Sequence, residues 1–263
     1  MRAHQLPDLL ARHGERLGVS GVVAYLADLQ QDMLVPFLGS GGASFDETVV
    51  ALGVDATLAG KAYQQVEVLT QDLPGGSARV WLPLLDGSDR LGVLSVTVAD
   101  PRDLYTADEV LLTRSRRFAS MTAELIMTNT LYGDTLVRLR RQGQMGLAAE
   151  MQWSLLPPLS FACQEVVIAA AMEPVYEVAG DTVDYAVDAG CARVAVFDGM
   201  GHRLQSAQLA SLSVAAYRNA RRDDRRLVET AQTIDAAVFS SFDGEAFTTA
   251  VLAELDTDTD MLS

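Results

Sequence analysis

The sequence predicts an α+β chain: an antiparallel sheet with flanking helices, a long helical linker, and then a second domain of strands and helices. Three observations carry that prediction. Arg79 to Leu85 and Arg90 to Val98 are β-rich runs flanking Asp86-Gly87-Ser88-Asp89, a strong hairpin signal. From Thr106 to about Leu156, apolar residues recur at three- and four-residue steps, the period of a helix. Residues 178–202 place two strand patterns around Asp188-Ala189-Gly190. At 263 residues with 49% apolar side chains, the chain has room for two modest domains with their own cores.

Leu6, Leu9, Leu10 and Leu17 stand among charges and predict a short amphipathic helix over 6–17. Gly21 to Leu29 and Met33 to Leu38 read as strands joined across Gln30-Gln31-Asp32, and 57–64 as a short helix with Leu58 and Ala62 inward. Pro83 places its strand at an edge or at the end of regular pairing. Thr106 followed by Glu109 predicts a capping box. Phe118, Met121, Leu125, Thr128, Tyr132, Leu136 and Leu139 then form a seam, weakened by Gly133, Gly143 and Gly146 at roughly 1 kcal/mol each. The seam fits a dimeric helix or a single helix packed on its own domain. Pro157-Pro158 ends it.

Beyond the prolines, Gln164 to Met172 reads as a buried strand, Arg203 to Arg222 and Leu227 to Phe239 as helices, and Phe247 to Leu255 as the last full strand. Arg221 to Arg226 reads as a solvated loop, and Asp256 to Asp260 as a turn, since it lacks the glycine and distal glutamate of a calcium loop. The boundaries that follow are 1–128, a linker over 129–160, and 161–263.

With 35 acidic against 20 basic residues, the formal charge is −15, which argues against binding nucleic acid or an anionic membrane. The two cysteines, Cys163 and Cys191, make no disulfide framework, so a reducing cytoplasm is expected. The N-terminus has no apolar signal core and no run reaches ~20 apolar residues.

The chemistry gathers in residues 178–202. Gly180-Asp181 with Asp184 precedes one strand, and Asp198-Gly199-Met200-Gly201-His202 follows the other. A hairpin returns the chain antiparallel and sets both clusters at one end of neighbouring strands. Carboxylates there suit a hard divalent cation; equally, Asp and Gly are ordinary turn residues. No serine, cysteine or histidine triad stands out.

Gly180-Asp181, Asp184-Tyr185 and Phe197-Asp198-Gly199-Met200-Gly201-His202 resemble the SpoIIE-type branch of the metal-dependent protein phosphatases, the PPM family, whose motifs read G-G-D-x-x-D-[FYA] and D-x-[SM]-G-H-G. Ala148 to Pro158 is similar to the helix and L-L-P-P exit before that domain, and Phe247 to Leu252 to its F-x-T-A strand. Arg203 and Ala179 stand where the family has glycines. The family's N-A-G-H-P-P segment, a further Asp-Gly and its last metal-binding Asp are absent after the F-x-T-A strand, so a partial α-β-β-α sandwich and half a metal site are expected. The resemblance implies two Mn²⁺ or Mg²⁺ ions, with Asp181 holding one, Asp198 bridging, the Gly199 carbonyl completing part of the shell, Asp184 behind them, and His202 in proton transfer or in holding the turn. Residues 1–128 resemble a GAF sensor domain, through the order helix, strands, hairpin, helix and the stretch Val80-Trp81-Leu82-Pro83-Leu84 to Leu91-Gly92-Val93-Leu94. No cysteine lies in that segment to hold a bilin; Trp81 and Tyr63 line a pocket for a small molecule or are plain core.

Together these imply a sensor-governed serine/threonine phosphatase acting on a phosphorylated regulatory protein, an anti-sigma-factor antagonist by resemblance, and a homodimer through the linker. The alternative is a catalytically incomplete regulator that binds a partner or ligand with the same domains.

Overall fold

The computed structural model describes residues 2–39, 49–106, 109–173, 176, 180–201 and 203–263. The chain divides into two units, Met1–Gln142 and Gly143–Ser263.

In the first unit α1 (Leu6–Leu17) leads into β1 (Ser20–Ala27), β2 (Met33–Phe37), β3 (Leu52–Gly53), α2 (Leu58–Gln65), β4 (Leu69–Asp72), β5 (Ala78–Asp86) and β6 (Asp89–Val98). The strands form one antiparallel sheet in the order β3-β2-β1-β6-β5-β4. Strand alternation divides its residues between two cores. Ala24, Leu26, Val80, Leu82, Leu94 and Val96 join Leu6 and Leu10 of α1, and Phe118, Ala123 and Ile126 of α3 (Val110–Thr130). Tyr25, Ala27, Trp81 and Val93 join Ala59, Ala62 and Tyr63 of α2. Trp81 and Tyr63 are thus core, with Tyr25 edge-on to Trp81 at 5.7 Å. Leu58 points outward, 40% exposed, and Ala59 takes the inward place expected of it.

Local chemistry fixes the turns. The buried Asp28 carboxylate accepts from the Asp32 and Met33 amides at 2.9 and 3.2 Å, closing the β1–β2 turn. Gly87, at φ 58°, begins the two-residue turn between Asp86 and Asp89. Pro83 pairs with Val93 of β6, while β4 reaches only to Trp81, so the proline lies beyond its outer neighbour.

The helical segment is not continuous. It comprises α3, α4 (Thr135–Arg140) and α5 (Leu147–Leu155). α3 starts at Val110, after Glu109 at φ 44°, so the helix begins past the expected Thr106 cap. Leu136 of α4 is buried in the first unit's core, and the Arg140 guanidinium donates to the Ala27 carbonyl at 2.8 Å. Two seam positions, Phe118 and Leu136, are therefore internal to the first unit, while Met121 and Tyr132 are 65% and 85% exposed. The breaks fall at Gly133 and at Gly143–Gly146, where helix propensity is poorest.

In the second unit β7 (Ser160–Ala162) and β8 (Val167–Ala169) form a two-stranded sheet of their own, where one buried strand was expected. β9 (Asp181–Asp188), β10 (Cys191–Gly199), β11 (Thr248–Asp256) and β12 (Met261–Leu262) form an antiparallel sheet in the order β12-β11-β10-β9. α6 (Arg203–Arg222) and α7 (Leu227–Ser241) cover one face, burying Ala195 and Phe197 with Leu209, Tyr217, Ile234 and Val238. Each fully buried large side chain there contributes about 1.5–3 kcal/mol. On the other face, Ile168 of β8 lines a hollow with Val194, Ala253 and Leu255. Asp256 accepts from the amides of Asp258 and Thr259, so the acidic repeat is a hairpin turn, as expected. Among the described residues no helix is long and apolar enough to cross a membrane.

Candidate metal centre

β9 and β10 pair in register from Cys191 with Asp188 to Asp198 with Asp181. Two side chains opposite one another in an antiparallel pair project from the same face. Asp181 and Asp198 therefore stand side by side at the sheet end, both exposed, on the face away from α6. Beyond them the Gly199 amide donates to the Gly180 carbonyl at 3.0 Å. This approach is possible because residue 180 has no side chain: a Cβ there would lie 2.0 Å from the Gly199 carbonyl oxygen.

Neighbouring elements hold both aspartates by their backbones. The Gln152 side-chain amide, buried on α5, donates to the Asp181 carbonyl at 2.9 Å. The Thr248 hydroxyl on β11 donates to the Asp198 carbonyl at 3.0 Å, and that of Thr249 to the same oxygen at 3.4 Å. These backbone bonds leave the carboxylates free to face outward.

Partial desolvation, then the charge of Asp198 and a hydrogen bond to it, push the Asp181 carboxyl above its ordinary 3.8. The proton-bearing form is the one favoured by folding. The stability linked to it is present below pH 3.8 and lost as pH rises through the raised folded value. Asp181→Asn should therefore unfold at higher urea than the parent at pH 7, with the gap closing below pH 3.8. A destabilised variant at pH 7 would contradict the repulsion.

The structure brings Asp181, Asp198 and Gly199 together, but not Asp184. Three residues along β9, Asp184 projects from the opposite face, 1% exposed, against α6. Its carboxylate accepts from Arg218 Nη2 at 2.6 Å and Nε at 3.1 Å, and from Arg221 Nη1 at 3.1 Å. Both guanidiniums are part-buried. Arg218 also donates to the Leu155 carbonyl at the end of α5, at 2.6 Å. Arg221 is therefore internal and paired, where a solvated loop was expected. His202 lies outside the described residues. Gln152, Arg218 and Thr248 were not foreseen: each is an ordinary polar residue whose partner is 29 to 63 positions away.

The donor set is two outward carboxylates and a carbonyl, all hard oxygen ligands of the kind Mg²⁺ and Mn²⁺ take. Among the described residues, no group of three or more acidic, histidine or cysteine side chains is placed to hold a metal ion.

Residues 188–263 match the family Stage II sporulation protein E (SpoIIE). No curated protein matches the chain. Among solved structures it is similar to the GAF domain of an Acinetobacter phosphoenolpyruvate-protein phosphotransferase, at 16% identity over 51% of this chain and 88% of that one, TM-score 0.39. It is also similar to the second GAF domain of DevS from Mycobacterium smegmatis, at 20% identity over 49% and 98%, TM-score 0.38. A type II free methionine-R-sulfoxide reductase from Thermoplasma acidophilum follows, at 12% identity over 47% and 90%, TM-score 0.35. The chain is thus similar to GAF domains over about half its length and to the SpoIIE family over residues 188–263.

Proposed function

We propose that the second unit is the metal-dependent part of a phosphoprotein phosphatase governed by the first unit. The observation that carries this reading is the register pairing of Asp181 with Asp198 at one sheet end, within a unit whose residues 188–263 match SpoIIE. Asp181, Asp198 and the Gly199 carbonyl would hold Mn²⁺ or Mg²⁺, which supplies an activated water and neutralises phosphate charge when bound. Asp181 and Asp198 draw cations to that end of the sheet, and Gln152 and Thr248 keep their backbones from shifting as charge changes. The substrate is a phosphorylated serine or threonine on a regulatory protein, an anti-sigma-factor antagonist by resemblance. The first unit takes a small-molecule ligand, and copies associate through the exposed Leu131 and Tyr132 after α3.

A second reading, a regulator that binds without turnover, is favoured by the count of only two carboxylates in the described site. One experiment separates the two. Mn²⁺ binding by calorimetry and Mn²⁺-dependent hydrolysis of an aryl phosphate are measured for this chain and for Asp198→Ala. The phosphatase reading expects turnover that falls at least about 100-fold in the variant. Metal-independent hydrolysis, or equal rates in both, overturns it; binding with no turnover supports the second reading.

A further inference from the structure

The first unit holds a hollow that the hydrolase chemistry does not use. It lies between α1 and α3 and has a volume of about 330 Å³. Leu10, Phe118 and Leu125 line it, and Met121 stands exposed at its mouth. The hollow itself is almost wholly apolar, and the ionisable side chains that border it are exposed and basic: Arg16 from α1 and Arg114 and Arg117 from α3, with His13 beside them. None of these four pairs with a carboxylate among the described residues.

In a chain of net charge −15, three exposed arginines border one apolar hollow with no acid among the lining residues. General solubility does not require that arrangement; cations around an apolar slot complement an amphiphile with an anionic head. Size narrows the occupant. The hollow is at the lower end of small-ligand cavities, which run from about 300 to 1,000 Å³. Its volume and apolar lining suit one short hydrocarbon tail. A two-fold contact of this patch with itself would gather six arginines with no acid among the lining residues, and the chain's net charge opposes docking on anionic lipid.

We propose that the hollow between α1 and α3 binds a free medium-chain fatty carboxylate, its tail among Leu10, Phe118 and Leu125 and its head among Arg16, Arg114 and Arg117. This does not rest on the phosphatase reading. The test uses the full chain, with dodecanoate, dodecanol and dodecyltrimethylammonium titrated below their micelle concentrations by calorimetry. Dodecanoate is expected to bind one per chain, with Arg114→Gln/Arg117→Gln weakening it at least about tenfold. Met121→Glu, at a position already 65% exposed, should also weaken it while leaving the far-ultraviolet circular dichroism unchanged. No dodecanoate binding, equal binding of the alcohol or the cation, or an unaffected double variant overturns the proposal. So does sedimentation in which Met121→Glu converts a parent dimer to monomer, which would put a second copy in the hollow, or pelleting with anionic phosphatidylglycerol vesicles in place of free-acid binding.

Discussion

Asp184→Ala is expected to cost the second unit about 3–5 kcal/mol, the loss typical of removing one partner from a buried ion pair. The carboxylate is 1% exposed and accepts from two arginines. Its removal leaves Arg218 and Arg221, whose side chains are only 25% and 12% exposed, facing one another without a counter-charge. The penalty comes mostly from those stranded cations. Urea unfolding of the full chain carrying Trp81→Phe, so that emission comes from Trp153 on α5, should show the second unit's transition moved to lower denaturant. Replacing all three, Asp184→Leu with Arg218→Met and Arg221→Met, should restore part of the loss, because an apolar cluster needs no counter-ion. A midpoint for Asp184→Ala within about 0.5 kcal/mol of the parent's would mean that water already screens the cluster.

The second large effect is expected of Gly180→Ala. A Cβ on residue 180 would meet the Gly199 carbonyl oxygen at 2.0 Å and its carbon at 2.7 Å, and neither is the movable end of a side chain. The strands must part at the point where Asp181 and Asp198 are adjacent, and the 3.0 Å bond from Gly199 to Gly180 goes with that parting. The expected cost is about 2–3 kcal/mol in stability. Calorimetry with Mn²⁺ should show a larger loss of binding than an alanine at the exposed, open Gly133 causes. Mn²⁺ affinity equal to the parent's would show that the close approach of 180 and 199 is not needed to set the carboxylates.

Features set by neighbours in sequence were legible before the structure. The Asp86–Asp89 hairpin, the alternation in β1, β5 and β6, and the inward stripe of Ile234 and Val238 on α7 all follow from local period and turn chemistry. The register that unites Asp181 with Asp198 was legible too, because the short Asp188-Ala189-Gly190 turn leaves the two strands little freedom. What escaped is long-range. Asp184 has the same residue type as Asp181 and stands three positions along, an odd step on a strand, so its side chain leaves by the other face. Arg218 and Arg221, three apart on a helix, lie on one side of it and converge on that carboxylate, while the charge run around Arg221 to Arg226 reads locally as solvent-facing. The three-part helical segment was half legible. Gly133, Gly143 and Gly146 mark where it breaks, but burial of Leu136 in the first unit depends on tertiary packing that no periodicity reports.

Arg218 holds two things at once, the Leu155 carbonyl just ahead of Pro157-Pro158 and the Asp184 carboxylate on β9. Mechanically, this makes the guanidinium a rivet between the exit of α5 and the strand that carries Asp181. Both of its shortest bonds are 2.6 Å, so a shift of the helix end by about 1 Å strains both toward the limit of a hydrogen bond together. Gln152, one turn earlier on the same helix, grips the Asp181 carbonyl itself. Displacement of α5 is thus delivered to the acidic pair by two polar tethers rather than dissipated in loosely packed side chains, and the helix and the carboxylates move as one piece.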